Sequence, residues 1–426
     1  MMRNPIYLLA LAPLLMAACG AGKGPADIRA DAASALSAPS DAAFARATGP
    51  RELLFPQDTG PHPAYQSEWW YYTGNLAEVV EPGGSVSSDP RRFGFQLTFF
   101  RRALAPATAL PDRDSAWSTG QIYLAHFTIT DVETEGFRSA ERLARGAVGL
   151  SGALSDPYRV WVEGWQALEI DAGDASRKDT NGNGTREAQD PVDREARNAA
   201  KAYPSVRLQA EDGDMALDLT LEPAKPPALH GVDGYSRKGV DRGNASYYYS
   251  FTRLLTEGRI TTADGEFQVE GLSWMDHEWS TSALTPNQVG WDWFSLQFED
   301  GRELMLFHVR EADGGVAAQS SGSLIDASGR VEPLTIADFE IGVEETWASP
   351  RSGGAYPAGW TLGLPKRDIV LNLRPLINDQ ELDLNLRYWE GAVRVEGEGP
   401  EGPIGGYGYV EMTGYIDGAM GLPGLD

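Results

Sequence analysis

Apolar and polar positions along this chain repeat with a period of two, the spacing of a β-strand with two distinct faces. Residues 121–130 show it most clearly. Ile122, Leu124, His126, Thr128 and Thr130 fall on one face, and Tyr123, Ala125, Phe127 and Ile129 on the other. In 216–221 the leucines alternate with Asp218 and Thr220. Comparable runs cover 68–72, 93–100, 159–165, 205–209, 246–251, 267–274, 293–298, 303–309, 369–373, 382–388, 392–395 and 408–415. Turn pairs such as Asp264-Gly265, Asp300-Gly301 and Asp313-Gly314 lie between strands, and Asp-Gly is a strong hairpin signal. Helical spacing shows only near 193–200. Many short strands joined by tight turns predict an all-β protein of antiparallel barrels or sandwiches.

A Pro/Gly-rich passage through Lys225-Pro226-Pro227 and Gly231 to Gly234 leads to 238–243, where the body is expected to divide. The first domain would span 51–243, with an acidic insertion at 171–200, and the second 244–426. Each is long enough for one barrel of about eight to ten strands.

The first 50 residues do not fit the strand pattern. Arg3 precedes an apolar run from Ile6 to Met16 that is too short to span a bilayer and fits a signal peptide over 1–18. The run ends in Leu15-Met16-Ala17-Ala18-Cys19-Gly20, which resembles a bacterial lipobox with Cys19 as the lipidated residue. Cys19 is the only cysteine, so the body has no thiol for a disulfide, a metal or catalysis. Residues 19–50 are mostly small or polar and predict a flexible tether. The expected location is the bacterial cell envelope, lipid-anchored; Gly20 after the cysteine, by resemblance to lipoprotein sorting, points to the periplasmic face of the outer membrane. Contact with the membrane would run through that anchor alone. The net charge of −25 repels phosphate backbones and excludes nucleic acid as a partner.

Chemistry concentrates in Trp274-Met275-Asp276-His277-Glu278-Trp279 and Trp291-Asp292-Trp293-Phe294. As extended chain, His277 shares a face with Met275 and Trp279, while Trp274, Asp276 and Glu278 take the other. Indoles pack well around apolar or cationic guests. A histidine and acids among them suggest a lined pocket with Asp276, His277 and Asp292 as candidate acid–base groups. Trp274, Trp279, Trp291, Trp293 and Trp70 are the candidate ligand-binding residues. The plain alternative is an aromatic plug closing a barrel end. His126 reads as a satisfied core histidine. No His-x-x-x-His spacing is present, so zinc is not predicted, and the main pocket needs no cofactor. A Gly-x-Ser-x-Gly elbow, a Walker loop and a dinucleotide fingerprint are all missing, which leaves a serine hydrolase without motif support.

Residues 179–190 follow a calcium-loop pattern. Asp179, Asn181, Asn183, Thr185 (through its carbonyl), Glu187 and Asp190 stand at the ligand positions, with Gly184 at the sharp turn. The alternative is an acidic, glycine-rich surface insertion that holds no ion.

Long motifs then resemble a known family. His62-Pro63, Glu68 to Leu76, Phe95 to Arg101, Ala125-His126-Phe127, Gly234 to Gly239, Trp274 to Trp279, Gly290 to Phe294, Tyr388 to Val393 and Gly408 to Tyr415 look like the AttH-like, lipocalin-like secreted proteins. Those are distantly similar to carotenoid 1,2-hydratases. The resemblance implies two lipocalin-like (calycin) β-barrel domains packed side by side. It also implies association with ABC transporter components of an export system. In the hydratases an acid protonates an isolated C=C bond, and their His-x-Trp pair resembles His277 and Trp279. Their following Tyr-x-Asp pair has its best counterpart in 304–310, where Phe307 and Val309 stand and the acid is missing. The expectation is therefore an envelope lipoprotein that binds an apolar, lipid- or terpenoid-like small molecule. The alternatives are a hydratase-like lyase and a non-catalytic transporter partner.

Overall fold

The computed structural model describes residues 30–31, 44–80, 90–106, 115–170, 191–281, 284–285 and 287–416. The signal run, Cys19 and the calcium-type loop 179–190 lie outside the described residues. The chain is all-β, as two lipocalin-like barrels side by side. In order, its strands are β1 (Ala30–Asp31), β2 (Ser67–Glu78), β3 (Arg92–Ala103), β4 (Gln121–Asp131), β5 (Gly136–Arg145), β6 (Ser151–Ser155), β7 (Tyr158–Val162), β8 (Trp165–Ile170), β9 (Ser205–Asp212), β10 (Met215–Pro223), β11 (Ala228–Leu229), β12 (Tyr235–Arg237), β13 (Ala245–Thr262) and β14 (Gly265–Ser280). They continue as β15 (Gln288–Phe298), β16 (Glu303–Glu311), β17 (Ser321–Ile325), β18 (Val331–Thr335), β19 (Glu340–Ala348), β20 (Ala355–Leu364), β21 (Ile369–Pro375), β22 (Glu381–Asp383), β23 (Leu386–Gly399) and β24 (Gly402–Met412). Among the described residues one α-helix, α1 (Pro191–Ala200), falls where helical spacing was expected.

Two sheets result. The first runs β5-β4-β3-β2-β14-β13-β10-β9-β8-β7-β6, and the second β18-β17-β16-β15-β24-β23-β21-β20-β19. In each, an early long strand pairs with the last one: β2 with β14, and β15 with β24. The division between sheets therefore falls after Ser280, not at 238–243. The expected boundary is instead a connection inside the first sheet, because Arg237 of β12 pairs with Ala245 of β13. Strands β13 and β14 belong to the first sheet because they join β2 to β10.

Two expected runs are interrupted. Residues 159–165 split into β7 and β8 at Glu163, which turns at φ +55°, and 382–388 divides between β22 and β23. The Asp300-Gly301 turn holds as expected, with Gly301 at φ +86°, a conformation glycine adopts without a Cβ clash.

The alternation of β4 sorts as predicted. Tyr123, Ala125, Phe127 and Ile129 enter the first core. The other face meets the second domain, where His126 Nδ1 lies 2.6 Å from the Tyr388 hydroxyl and Thr130 donates to Gln380 at 2.8 Å. More polar contacts lock the barrels together. Gln297 Nε2 donates to the Thr252 and Ser273 carbonyls at 2.7 and 2.9 Å, and Lys225 pairs with Glu303 at 2.8 Å. Where the barrels pack, a Cβ on Gly94 would meet the Ala392 Cβ at 2.7 Å, too close for a larger residue without a shift.

Candidate functional site

Strand β14 is buried on both faces over its last half, and each face carries a different cluster. Facing inward, rows of side chains cross several strands. Tyr249, His277 and Trp70 stand directly opposite one another on β13, β14 and β2. The next row is Tyr247, Trp279, Glu68 and, on β3, Arg101. Facing outward towards the second barrel, the rows are Ser250, Asp276, Tyr71 and Tyr248, Glu278, Trp69.

The inward cluster centres on Glu68, which is 1% exposed. Its Oε2 accepts from Arg101 Nε at 2.7 Å, and its Oε1 lies 2.7 Å from His62 Nδ1 and 2.9 Å from His277 Nε2. Burial would raise the Glu68 pKa, but Arg101 and the two histidines hold it well below the usual carboxylate range. His62 bridges Glu68 and Asp58, with Nε2 at 2.9 Å from Asp58 Oδ1. Burial would lower the His62 pKa, yet hydrogen bonds to the two carboxylates raise it. Acceptors on both nitrogens favour the imidazolium form of His62, and its ring stacks on Trp279 at 3.7 Å and 4°, a geometry that suits a cation over an indole face. His277 differs. Burial depresses its pKa against the pull of Glu68, so it rests neutral. It stacks on Trp70 at 4.8 Å, and its Nδ1 lies 3.1 Å from both the Tyr249 hydroxyl and the Asp58 carbonyl oxygen.

His62, Glu68 and His277 offer donor atoms within 4.8 Å of one another, the convergence a metal would need. Their other contacts fit protons better. Glu68 already neutralises Arg101, and His62 would have to give up the proton it shares between two carboxylates.

A cavity of about 240 Å³ opens beside this cluster. Phe55, Val206, Phe251, Leu254 and Met275 supply apolar wall. Tyr72, Tyr158 and Tyr249 also line it, and the Tyr72 and Tyr158 hydroxyls bond to each other at 2.7 Å.

The outward cluster is acidic and aromatic. Asp276 accepts from Trp274 Nε1 at 2.6 Å, from the Tyr248 hydroxyl at 2.9 Å and from Ser250 Oγ. Trp293 Nε1 in turn donates to Tyr248 at 3.0 Å. Burial pushes the Asp276 pKa up to about 7 despite these donors. Nearby, burial takes Glu411 to about 8 while Trp291 Nε1 donates to it at 3.0 Å. Glu390 is raised well above its usual value, bound by Tyr71 at 2.7 Å. Glu278 pairs with Lys238 at 3.0 Å.

The sequence reading grouped His277, Trp279, Trp291, Trp293 and Asp276 around one pocket at the barrel junction. The structure divides them. His277, Trp279 and Trp70 lie inside the first barrel, and Asp276, Trp274, Trp291 and Trp293 lie between the barrels. Asp292 joins neither. It points into the second domain, accepting from Tyr415 at 2.9 Å with Arg310 at 3.3 Å. His126 and His308 likewise stay apart from His277, each beside its own carboxylate, Glu141 or Asp292. Sequence reasoning missed Asp58, Tyr249 and Glu68 as partners of His277, and Arg101 as the partner of Glu68. Cross-strand register brings Tyr249, Glu68 and Arg101 there, and the short turn Gln57–Thr59 before β2 brings Asp58.

The fold and these buried clusters define a two-barrel protein of the calycin kind. By its sequence, the chain belongs to the AttH-like family, whose model matches residues 46–415. It is similar to an AttH protein from Nitrosomonas europaea, at 30% identity and a TM-score of 0.69, over 88% of this chain and all of that one. It also shares its fold with kievitone hydratase from Nectria haematococca, at 14% identity and a TM-score of 0.58, over 91% of this chain and 98% of that one. No curated protein matches the sequence.

Proposed function

We propose that the first barrel binds a small apolar molecule that carries a polar group. The cavity beside Tyr249 carries this reading, because it joins an apolar wall to four phenols, those of Tyr72, Tyr158, Tyr203 and Tyr249. Its size sets a limit. At ~30 Å³ per water in the liquid it has room for roughly eight waters, and it lies just below the range of about 300–1,000 Å³ usual for drug-sized ligands. A monocyclic or short-chain compound suits it better than a full-length carotenoid or a phospholipid. A lipidated Cys19 would hold this binder at the envelope membrane, where ABC-type export components could draw on its cargo.

Met275→Trp should fill the cavity and abolish uptake of 1-aminoanthracene, read by its fluorescence, while Trp274→Ala on the opposite face leaves uptake intact. Equal loss in both variants would sink the reading. Mass spectrometry of small molecules co-purified from the native envelope would identify the ligand.

A second reading rests on the outward cluster. Asp276, protonated near neutrality and walled by Trp274, Tyr248 and Trp293, has the form of an acid able to protonate an isolated C=C bond. The carboxyl proton would pass to one alkene carbon, indole faces would shelter the cation, and water would add at the other carbon and return a proton to Asp276. Kievitone hydratase supports this as a fold-mate only. Incubating the protein with an isoprenoid alkene in ¹⁸O-labelled water tests it, and the reading fails if the parent protein incorporates no label.

A further inference from the structure

Tyr249 lines the cavity and meets His277 Nδ1 at 3.1 Å, while His277 Nε2 meets the Glu68 carboxylate at 2.9 Å. From these contacts we infer that Glu68, His277 and Tyr249 form a proton relay that takes a proton from a weakly acidic small molecule in the cavity, such as a phenol or an enolisable ketone. The inference rests on the cavity being a binding site and goes beyond it, because it adds acid–base work.

The geometry provides for both protonation states of His277. In the resting state Nε2–H donates to Glu68 and the Nδ1 lone pair accepts the Tyr249 proton. The Asp58 carbonyl, an acceptor only, also lies 3.1 Å from Nδ1 and has no proton to share in that state. When the ligand gives its proton to Tyr249 Oη, the phenolic proton of Tyr249 passes to Nδ1. The ligand O–H or C–H bond breaks, a new Tyr249 O–H forms, and Nδ1–H forms. Nδ1–H then donates to the Asp58 carbonyl, and the imidazolium pairs with Glu68. One ligand anion and one imidazolium result, so charge is conserved, and the reverse step returns the proton.

The surroundings hold each member in place. Arg101 anchors the far oxygen of Glu68 at 2.7 Å. Trp70 stacks on the His277 ring, and Phe55 meets Tyr249 edge-on at 5.0 Å. His62, with its side chain 13% exposed, touches both Asp58 and Glu68 and connects the buried end of the relay towards solvent. Burial keeps the Tyr249 phenol and the His277 ring uncharged at rest. The logic is that of a Ser-His-Asp triad with a phenol in the place of the hydroxyl.

The test uses 4-nitrophenol, whose ionised form alone absorbs strongly in the visible. Quenching of tryptophan fluorescence reports binding to the full chain, and absorbance reports the ionisation state of the bound probe. At about pH 6, below the point at which most of the free phenol ionises, the parent protein should bind the probe and develop the phenolate band. At a matched bound fraction, read by the quenching, Tyr249→Phe and His277→Gln should lose the band. Should His277→Gln fail to fold, Tyr249→Phe, which loses one oxygen, decides alone. Binding by the parent without the band, or a band that survives Tyr249→Phe, overturns the relay and leaves the cavity reading standing. No binding at all overturns both.

Discussion

The two faces of β14 bury similar residue types, yet Glu68 on one and Asp276 on the other rest in opposite electrostatic states, while Glu278 on the outward face keeps a cation of its own in Lys238. On the inward face Glu68 and Asp58 are surrounded by Arg101, Arg51 and His62 and stay ionised. On the outward face Asp276 and Glu411 meet only neutral donors, indole or hydroxyl, and burial favours their protonated forms. Depth does not separate these carboxylates, since Glu68 and Asp276 are both deeply buried. What differs is whether a cation shares the site. A strand that alternates side chains can therefore hold a charged network and a neutral acid cluster one residue apart.

The largest test of this contrast is Glu68→Ala. It leaves Arg101, itself 2% exposed, as an unpaired buried cation, and unfolding in urea should show a loss of ~3–5 kcal/mol. A loss below about 1 kcal/mol, the value of a surface pair, would show that the inward network is not tightly coupled. Next come the two tryptophans. Trp279→Ala and Trp274→Ala should each cost ~3–5 kcal/mol in unfolding free energy. Only Trp279→Ala should weaken binding in the first-barrel cavity, because it removes the ring on which His62 stacks. Equal binding losses would erase the distinction between the faces.

The pH dependence should then run in opposite directions. Glu68 and Asp58 have folded pKa values below their unfolded ones. Their contribution is full above the unfolded carboxylate range, near 4, and is lost as pH falls through the folded values. Asp276 and Glu411 have raised folded values. Their contribution is full below about pH 4 and is lost as pH rises through about 7 and 8. Asp276→Asn should therefore flatten the decline of the melting temperature between about pH 5 and 8, and Glu68→Gln should lower the neutral plateau and flatten the acid limb. An unchanged neutral-to-alkaline limb in Asp276→Asn would place the titration elsewhere. The smallest expected effect is that of Asp292→Asn. That residue belongs to the second domain, so probe binding in the first barrel should stay at parental affinity; a shift would reveal coupling across the barrels.

Much of this was legible in the chain. The period-two runs located most strands, and the split of β14 into a His277–Trp279 face and a Trp274–Asp276 face followed from alternation alone. The family motifs pointed to the two-barrel fold. The misplacement lay in letting both faces of β14 line one pocket. A strand with one wet face shows its core side by polarity, but β14 and β2 are buried on both sides, so residue type could not say which buried face met which neighbour. The domain boundary failed for a related reason. Pro and Gly mark a turn, and nothing local shows whether the next strand starts a new sheet or closes the old one.

By itself the sequence determined the strands, their two faces and the family, because these depend on local spacing and on side-chain chemistry. Only the tertiary structure decided that Tyr249 stands opposite His277, that Arg101 reaches Glu68, and that the hydrogen-bond donors to Asp276 among the described residues are neutral. Those are matters of register between paired strands and of which strands come together in space. The charge state of a buried carboxylate depends on the partners that register brings within a few ångströms.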